Sequence, residues 1–521
     1  MLNKNNLLIE SFSGIRGIYG KGVDEKLAEN YALAYAQFLC GKFKKIHPVK
    51  SSKAGAEQFN RVKVVIGGDT RKSTKGLQDV FLKIFLNFGF EVIDAGVAST
   101  PVVELGVREY KAQGGVVITA SHNEPEFNGW KLLQASGAIL SIRDIDKIIK
   151  KTKMGRGVLQ YALKNCPLTN GKIIKKSEDL ENKYINDIFK IVGKDAIKKI
   201  QKSNFKLAAD PNGGPVIDLI KKLFKKMNVK IVGVNMKPGV YNRKVEPNKE
   251  SLKYLTDIVD KQKADFGFGL DGDADRVEIV LPLSRMITGN EMMALGVESI
   301  LSSKKKGQKV VVNLPTSHLV HEIAWKYGAK VFEVDVGETN VVSKMEKVGS
   351  VVGGEGSCGG LVVTPCKCRD GLLSVVVILA LLAKRDESIG GVLDSYPQYF
   401  EERIEERGRD GIGRKILKYF EDKGYNIRRV PGKSGGFKVL FDKPRTFREI
   451  VSVKKERKDM TPKFSQKVRG KYNWLFFRGS QTEPGLFRII ANGNDQQFVK
   501  KMIKQGKDVF YFQANEQSKL K

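Results

Sequence analysis

The sequence predicts an α/β protein: three successive α/β domains with mixed, mostly parallel sheets, followed by a smaller C-terminal α+β domain. Three observations predict it. Short β-branched runs alternate with helical patterns through the first two hundred residues. The same strand-to-loop grammar restarts near residue 205 and again near residue 309. After about Tyr399 the alternation gives way to helix mixed with β-rich segments.

Taken in order, Val62 to Gly67 reads as a strand ending in Gly-Gly-Asp, a helix follows from about Thr74 to Phe88, and Glu91-Val92-Ile93 reads as the next strand. Gly115 to Thr119 is another strand and runs directly into Ala120-Ser121. The second round opens with strand Phe205 to Ala209, the turn Asp210-Pro211-Asn212-Gly213-Gly214, and a helix from Pro215. Asp265 to Leu270 is a strand ending in an acidic loop. The third round has strand Lys309 to Asn313, helix Ser317 to Tyr327 and strands Lys330 to Val334 and Ser350 to Val352. Domain edges near residues 165–185, in a lysine-rich linker, and near 285 give the division 1–170, 171–284, 285–399 and 400–521. His47 to Asn60 reads as an inserted surface loop, and residues from about Asn515 onward are expected to fray.

Bulk composition bounds the function. With 521 residues and 41% hydrophobic content the chain can build several cores, which excludes wholesale disorder. Met1 to Glu10 lacks the apolar stretch of a signal peptide, and the longest apolar run, Leu372 to Ala383, is too short to span a bilayer and reads as a buried helix. A cytoplasmic protein that makes no membrane contact is expected. Five scattered cysteines are not a disulfide framework, and the spacing of Cys358, Cys366 and Cys368 fits no standard zinc pattern, so free thiols are expected. The net charge is +33. Its lysines come as pairs and triplets, such as Lys150-Lys151, Lys198-Lys199, Lys221-Lys222 and Lys304-Lys305-Lys306, spread over helical patterns without a stripe of interleaved aromatics. That distribution reads as solvated helix faces rather than a specific nucleic-acid surface, though it would attract phosphorylated small molecules.

Four segments carry chemistry. Thr119-Ala120-Ser121-His122-Asn123 puts a hydroxyl at the carboxyl end of a strand, where α/β folds place their sites, with Asn128-Gly129-Trp130-Lys131 just downstream. A serine there also suits a helix cap; a nearby lysine makes it workable for phosphoryl transfer. Asp271-Gly272-Asp273-Ala274-Asp275-Arg276 places three carboxylates at alternate positions, able to converge on one hard divalent cation. A calcium EF-hand needs Gly at its sixth position and Glu at its twelfth; here those are Arg276 and Pro282. Gly353-Gly354-Glu355-Gly356-Ser357 offers a carboxylate for vicinal hydroxyls among glycines, and taken alone reads as a flexible turn. Arg478-Gly479-Ser480-Gln481-Thr482, with Arg488 beyond, groups cations and hydroxyls around a turn suited to phosphate, and taken alone reads equally well as a β-turn with exposed arginines. Near the N-terminus, Ser11 to Gly17 places Arg16 between glycines and Gly68 to Ser73 ends a strand with Arg71-Lys72; each alone reads as a plain surface turn.

Together these segments, in this order from Ser11 to Arg488, resemble the α-D-phosphohexomutase superfamily. The resemblance implies four domains around a central cleft, each lending one loop. It implies an intramolecular phosphotransferase that interconverts hexose 1-phosphate and hexose 6-phosphate through a phosphoserine and a hexose 1,6-bisphosphate, with mannose or glucose as the sugar; the alternatives are a phosphoglucosamine mutase and a noncatalytic sugar-phosphate-binding protein that keeps the fold. It places the phosphoryl group on Ser121, with His122, Arg16 and Lys131 in catalytic positions. Magnesium would be held by Asp271, Asp273, Asp275 and a phosphate oxygen on Ser121, with hexose 1,6-bisphosphate as activator. Arg276, Glu355, Ser357, Arg478, Ser480, Thr482 and Arg488 would bind substrate. A monomer or homodimer acting on a small phosphosugar follows, with no specific nucleic-acid partner. The chain departs from the family pattern at Glu338, Cys358 and Gln481.

Overall fold

The computed structural model describes residues 8–43, 61–154, 171–357, 359–409, 411–432, 435–441, 473–480 and 485–516. They fall into two compact units, one of Met1–Ile287 with Cys358–Ser388 and one of Thr288–Ser357 with Ile389–Lys521. The expected loop 47–60 lies outside the described residues.

The first unit holds two sheets. Strands β1 (Leu8–Ser11), β2 (Gly14–Ile18), β3 (Lys63–Gly68), β4 (Glu91–Val97), β5 (Gly114–Ile118), β6 (Phe127–Gln134) and β7 (Lys172–Lys175) lie in the order β1-β2-β6-β5-β3-β4-β7. The half β5-β3-β4-β7 is parallel, whereas β6 returns antiparallel to β5 and carries the β1-β2 hairpin on its far side. Helices cover both faces, as a parallel sheet requires. Tyr31 and Tyr35 of helix Glu25–Lys42 and Phe81 and Phe85 of helix Thr74–Asn87 pack with Trp130 and Phe90 into an aromatic core on one face. On the other face lies helix Thr100–Glu109, whose Gly106 approaches Val65 of β3 and Leu180 of helix Ser177–Val192.

The second sheet has strands β8 (Lys206–Asp210), β9 (Lys230–Gly233), β10 (Phe266–Leu270) and β11 (Val277–Val280) in the order β11-β10-β8-β9. Only β11 runs antiparallel. The apolar run near residue 372 becomes helix Gly371–Arg385, capped by Asp370, which accepts from the Leu373 amide at 3.0 Å. Gly371 to Leu382 are all buried, so the helix is apolar all round because it has no solvent face. It packs on helices Ser177–Val192 and Lys194–Lys202 and on β11.

In the second unit, parallel strands Lys330–Val334, Lys309–Asn313 and Val352–Gly354 lie side by side in that order. A five-stranded antiparallel sheet follows, ordered Phe400–Arg407, Leu486–Gly493, Trp474–Gly479, Phe437–Leu440 and Asn426–Arg429, with helices Ile412–Asp422 and Gln496–Glu516 packed on it. This C-terminal part is α+β, as expected. Helix Gln496–Glu516 includes Asn515 and Glu516, which were expected to fray. An ionic cluster around the buried Glu333 side chain joins the two parts of this unit: Glu333 accepts from the buried Lys438 at 3.0 Å and pairs with the more exposed Arg428 at 2.5 Å and with His321 at 3.3 Å, while Lys438 lies 4.3 Å over the Trp474 ring.

Lysine placement follows the sequence reading. In helix Lys194–Lys202, Ile197 and Ile200 are buried while Lys198 and Lys199 are exposed, and Lys304 to Lys306 are exposed. Among the described residues, no helix is long and apolar enough to cross a membrane.

Candidate functional site

Two tight loops of the first unit meet. β5 ends at Ile118, so Thr119, Ala120 and Ser121 lie beyond its carboxyl end, and Ser121 takes the left-handed backbone conformation with φ +53°. Leu270 of β10 pairs with Val277 of β11, so Asp271 to Arg276 form the hairpin loop between them. Ala274, at φ +58°, turns this loop and lets the alternate carboxylates converge.

Ser121 Oγ donates to Asp271 Oδ2 at 3.1 Å, and His122 Nδ1 lies 3.5 Å from the same hydroxyl. Ser121 and the three aspartates are each no more than 1% exposed. One oxygen from each of Asp271, Asp273 and Asp275 lies within 4.8 Å of the others. Lys131 Nζ bridges Asp273 Oδ2 at 2.5 Å and Asp275 Oδ2 at 2.7 Å. The hairpin register explains its arrival: Lys131 on β6 pairs with Val117 on β5, one turn of chain from the serine.

The electrostatics are set by burial of three carboxylates beside several cations. Burial, then repulsion from Asp275 and Asp273, pushes the Asp271 carboxyl up to about 8. Burial acts the same way on Asp275, but Lys131, Arg369 and Arg276 outweigh it and hold that carboxyl well below the usual range. Burial, reinforced by Arg276 and Arg16, keeps His122 neutral. A hard cation fits this donor set. All the acidic ligands are oxygens, and Asp273 Oδ1 is buried with no hydrogen-bond partner among the described residues.

Arg16 reaches the same place from β2, where it pairs with Gly129 of β6. Gly129 is required there, since a Cβ would lie 1.9 Å from the Ile15 carbonyl oxygen. The Arg16 guanidinium lies 3.5 Å from Asn123 Oδ1, and burial followed by Arg276 lowers its pKa. Arg276 donates its amide to Asp271 Oδ1 at 3.2 Å and its Nη1 to Glu246 at 3.0 Å. The segment Ser11 to Gly17 is therefore no plain surface turn. It is a β-hairpin whose second strand carries Arg16 to Asn123, two residues beyond the serine.

The remaining predicted residues belong to the second unit. Glu355 follows strand Val352–Gly354, and its Oε1 accepts from Asn313 Nδ2 and from the Gly337 amide, both at 2.8 Å. The Gly-rich segment is thus partly strand, with Gly353 to Gly356 buried and Ser357 exposed. Arg478 and Arg488 are cross-strand neighbours, and Arg488 Nε donates to Glu405 at 2.8 Å. Burial lowers the Arg478 pKa, with Asp335 and Glu355 pulling the other way. Ser480 donates its amide to the Leu486 carbonyl at 2.7 Å. Gln481 and Thr482 lie outside the described residues.

Sequence reasoning missed several contributors. The turn Gly68 to Ser73 is not a surface turn. Arg71 is buried, pairs with Asp69 and donates to the carbonyls of Ser121 and Asn123. Thr100, at the start of its helix, donates to Asp273 Oδ2 and lies 3.3 Å from Lys131 Nζ. Arg369, in the Arg369-Asp370-Gly371 segment that adds to the family resemblance without an assigned role, lies 3.4 Å from Asp275. An Asp-x-Arg directly after an apolar strand, at the sheet end that also carries Ser121, was the available signal for Arg71. Thr100 had none, since a Ser-Thr-Pro segment reads as a helix start.

Comparison with known proteins points to one family. Three family models match: phosphoglucomutase/phosphomannomutase alpha/beta/alpha domain I over residues 10–156, domain II over 182–283 and domain III over 288–399. The chain is 29% identical to a phosphoglucomutase/phosphomannomutase of Thermococcus kodakarensis over 498 residues, which is 95% of this chain and 96% of that one. It is 25% identical to a phosphoglucosamine mutase of Methanococcus maripaludis, covering 89% of this chain and 96% of that one. Among solved structures, a phosphoglucomutase/phosphomannomutase family protein from Burkholderia thailandensis shares the fold, with a TM-score of 0.75 at 18% identity and 98% coverage of both chains. A serine poised on a carboxylate trio, within matched domains that together span more than half of the sequence, places the chain in the phosphoglucomutase/phosphomannomutase family of the α-D-phosphohexomutase superfamily.

Proposed function

We propose that the chain interconverts hexose 1-phosphate and hexose 6-phosphate through a phosphoserine at Ser121 and a hexose 1,6-bisphosphate intermediate, with mannose or glucose as the sugar. The observation that carries this reading is the Ser121 hydroxyl, buried and 3.1 Å from Asp271 in the carboxylate trio. Asp271, Asp273 and Asp275 would hold magnesium, which when bound supplies the charge that stabilises a transferring phosphoryl group.

The chain's own groups do the rest. A substrate hydroxyl oxygen attacks the phosphorus of phosphoserine, the P–Oγ bond breaks, and the hydroxyl proton ends on Ser121 Oγ. His122, held neutral and 3.5 Å from Oγ, can take up that proton in transit, and Arg16 and Lys131 supply fixed positive charge. The bisphosphate then returns its other phosphoryl group to Ser121. Glu355 and Ser357 would bind sugar hydroxyls; Arg276, Arg478, Ser480, Thr482 and Arg488 would bind phosphate. Hexose 1,6-bisphosphate would prime the serine as activator. The four-part division 1–170, 171–284, 285–399 and 400–521 belongs to this reading, supported by three family spans lying in succession. The 25%-identical phosphoglucosamine mutase favours glucosamine phosphate as the second reading.

The test is direct. Purified protein is incubated with magnesium, a trace of glucose 1,6-bisphosphate and, separately, mannose, glucose and glucosamine phosphates. Product formation ranks the sugars, and intact mass reports phosphate on Ser121. An unphosphorylated serine with no turnover on any sugar replaces the mutase with a noncatalytic sugar-phosphate-binding protein.

A further inference from the structure

We propose that Asp69, Arg71 and Thr119 form a positioning clamp that fixes the backbone of Ser121 against the carboxylate loop. The inference rests on the reading of Ser121 as the phosphoryl carrier.

The clamp holds both backbone polar atoms of that residue. Thr119 Oγ1 accepts from the Ser121 amide at 2.8 Å and donates to Asp69 Oδ2 at 2.7 Å. Arg71 Nη2 donates to the Ser121 carbonyl at 3.0 Å and to the Asn123 carbonyl, while its Nη1 pairs with Asp69. Asp69 Oδ1 accepts from the Arg71 amide at 3.0 Å and from Thr74 Oγ1 at 2.8 Å. A left-handed serine is unfavourable unless its surroundings fix it, and these bonds fix it from both sides.

The same carbonyl registers the second loop. A Cβ on Gly272 would lie 2.6 Å from the Ser121 carbonyl oxygen and 2.9 Å from Arg71 Nη1, so the carboxylate loop rests directly on the clamped atom. The neighbouring residue extends the link: Thr70 Oγ1 donates to the Gly213 carbonyl at 2.7 Å and lies 3.0 Å from the Tyr241 hydroxyl, whose ring lies 5.7 Å from the Arg71 guanidinium. The end of β3 thus ties the serine loop of the first sheet to the loops of the second.

Energetics favour a geometric role. The Asp69 and Arg71 side chains have no exposure, and a fully buried ion pair recovers little net stability after desolvation. What it supplies is a rigid fork that reaches a carboxylate and two carbonyls together, which a lysine's single ammonium cannot do. Arg71 contacts carbonyls and not the reacting hydroxyl, so it acts through Ser121.

The test uses the full chain with magnesium and a hexose phosphate, comparing Arg71→Lys, Thr119→Val and Thr119→Ser, each checked by its thermal midpoint. The unaltered protein is assayed first; no turnover and no phosphate on Ser121 sinks the mutase reading and the clamp with it. Given turnover, R71K and T119V are expected to lower kcat by about 10²-fold with KM within about twofold, and T119S, which keeps the hydroxyl, to stay within about threefold of the unaltered protein. Unchanged kcat in R71K and T119V overturns the clamp. So does an equal loss in T119S and T119V. If R71K does not fold, the Thr119 pair decides.

Discussion

Ser121 and Asp271 are 150 positions apart in the chain and 3.1 Å apart in space, and the proposed chemistry depends on that one meeting. Ser121→Ala is expected to abolish mutase turnover, a loss of roughly 10⁴-fold or more, while intact mass shows no phosphate uptake. Gly272→Ala is the sharper probe of geometry. The added methyl collides with the Ser121 carbonyl, so the loops must separate. Its magnesium titration is expected to shift to higher concentration, with kcat down by about 10²-fold and the fold retained by circular dichroism. The serine and the trio were legible because their signals are local: a hydroxyl after an apolar strand, and carboxylates at alternate positions between small residues. Arg71 and Thr100 were not, because what makes them functional is a partner 50 or 173 residues away.

At the scale of elements, helix Thr100–Glu109 connects the site to the interior. Its first residue touches Asp273, and its Glu104 lies buried against Arg108, 2.7 Å away. Burial pushes Glu104 up from 4.5 to about 7 despite Arg108. The folded protein therefore holds a proton there that the unfolded chain releases at lower pH. That contribution to stability is complete below pH about 4.5 and is lost as pH rises through about 7. Urea midpoints across this window should fall more steeply for the unaltered protein than for Glu104→Gln. The buried helix Gly371–Arg385 gives a second expectation: Leu373→Ala should cost about 3 kcal/mol, read from the same urea curves. Helix Gly371–Arg385 was visible in the sequence as an apolar run, whereas helix Thr100–Glu109 was not read there; most strand ends shifted by only a residue or two, the end of β4 by four. The placement of β6 and the β1-β2 hairpin was not visible, because antiparallel return and parallel crossover share the same period-two pattern.

At the scale of the molecule, the second unit unites the third α/β segment with the C-terminal sheet through Glu333 and Lys438. Removing one partner strands a buried charge, so Glu333→Gln should cost about 3–5 kcal/mol, and the double change Glu333→Leu with Lys438→Met should recover much of it. Calorimetry would show this as a lowered transition that returns toward its original temperature. The charge of +33 was legible in kind as well as amount, since the lysine pairs 150–151, 198–199 and 221–222 sit on the outer sides of helices beside buried isoleucines, although Lys304 to Lys306 lie in a loop. The grouping into two units was not, because it follows spatial neighbours rather than order along the chain. The first unit includes Cys358–Ser388, a segment translated only after seventy residues of the second unit, Thr288–Ser357. During translation, residues 1–287 therefore wait for their last helix until the ribosome has passed residue 388. A gene fragment stopped at residue 287 should yield a protein that shows its uncovered apolar surface by binding a fluorescent dye such as ANS, and supplying Cys358–Ser388 as a separate peptide should quench that signal.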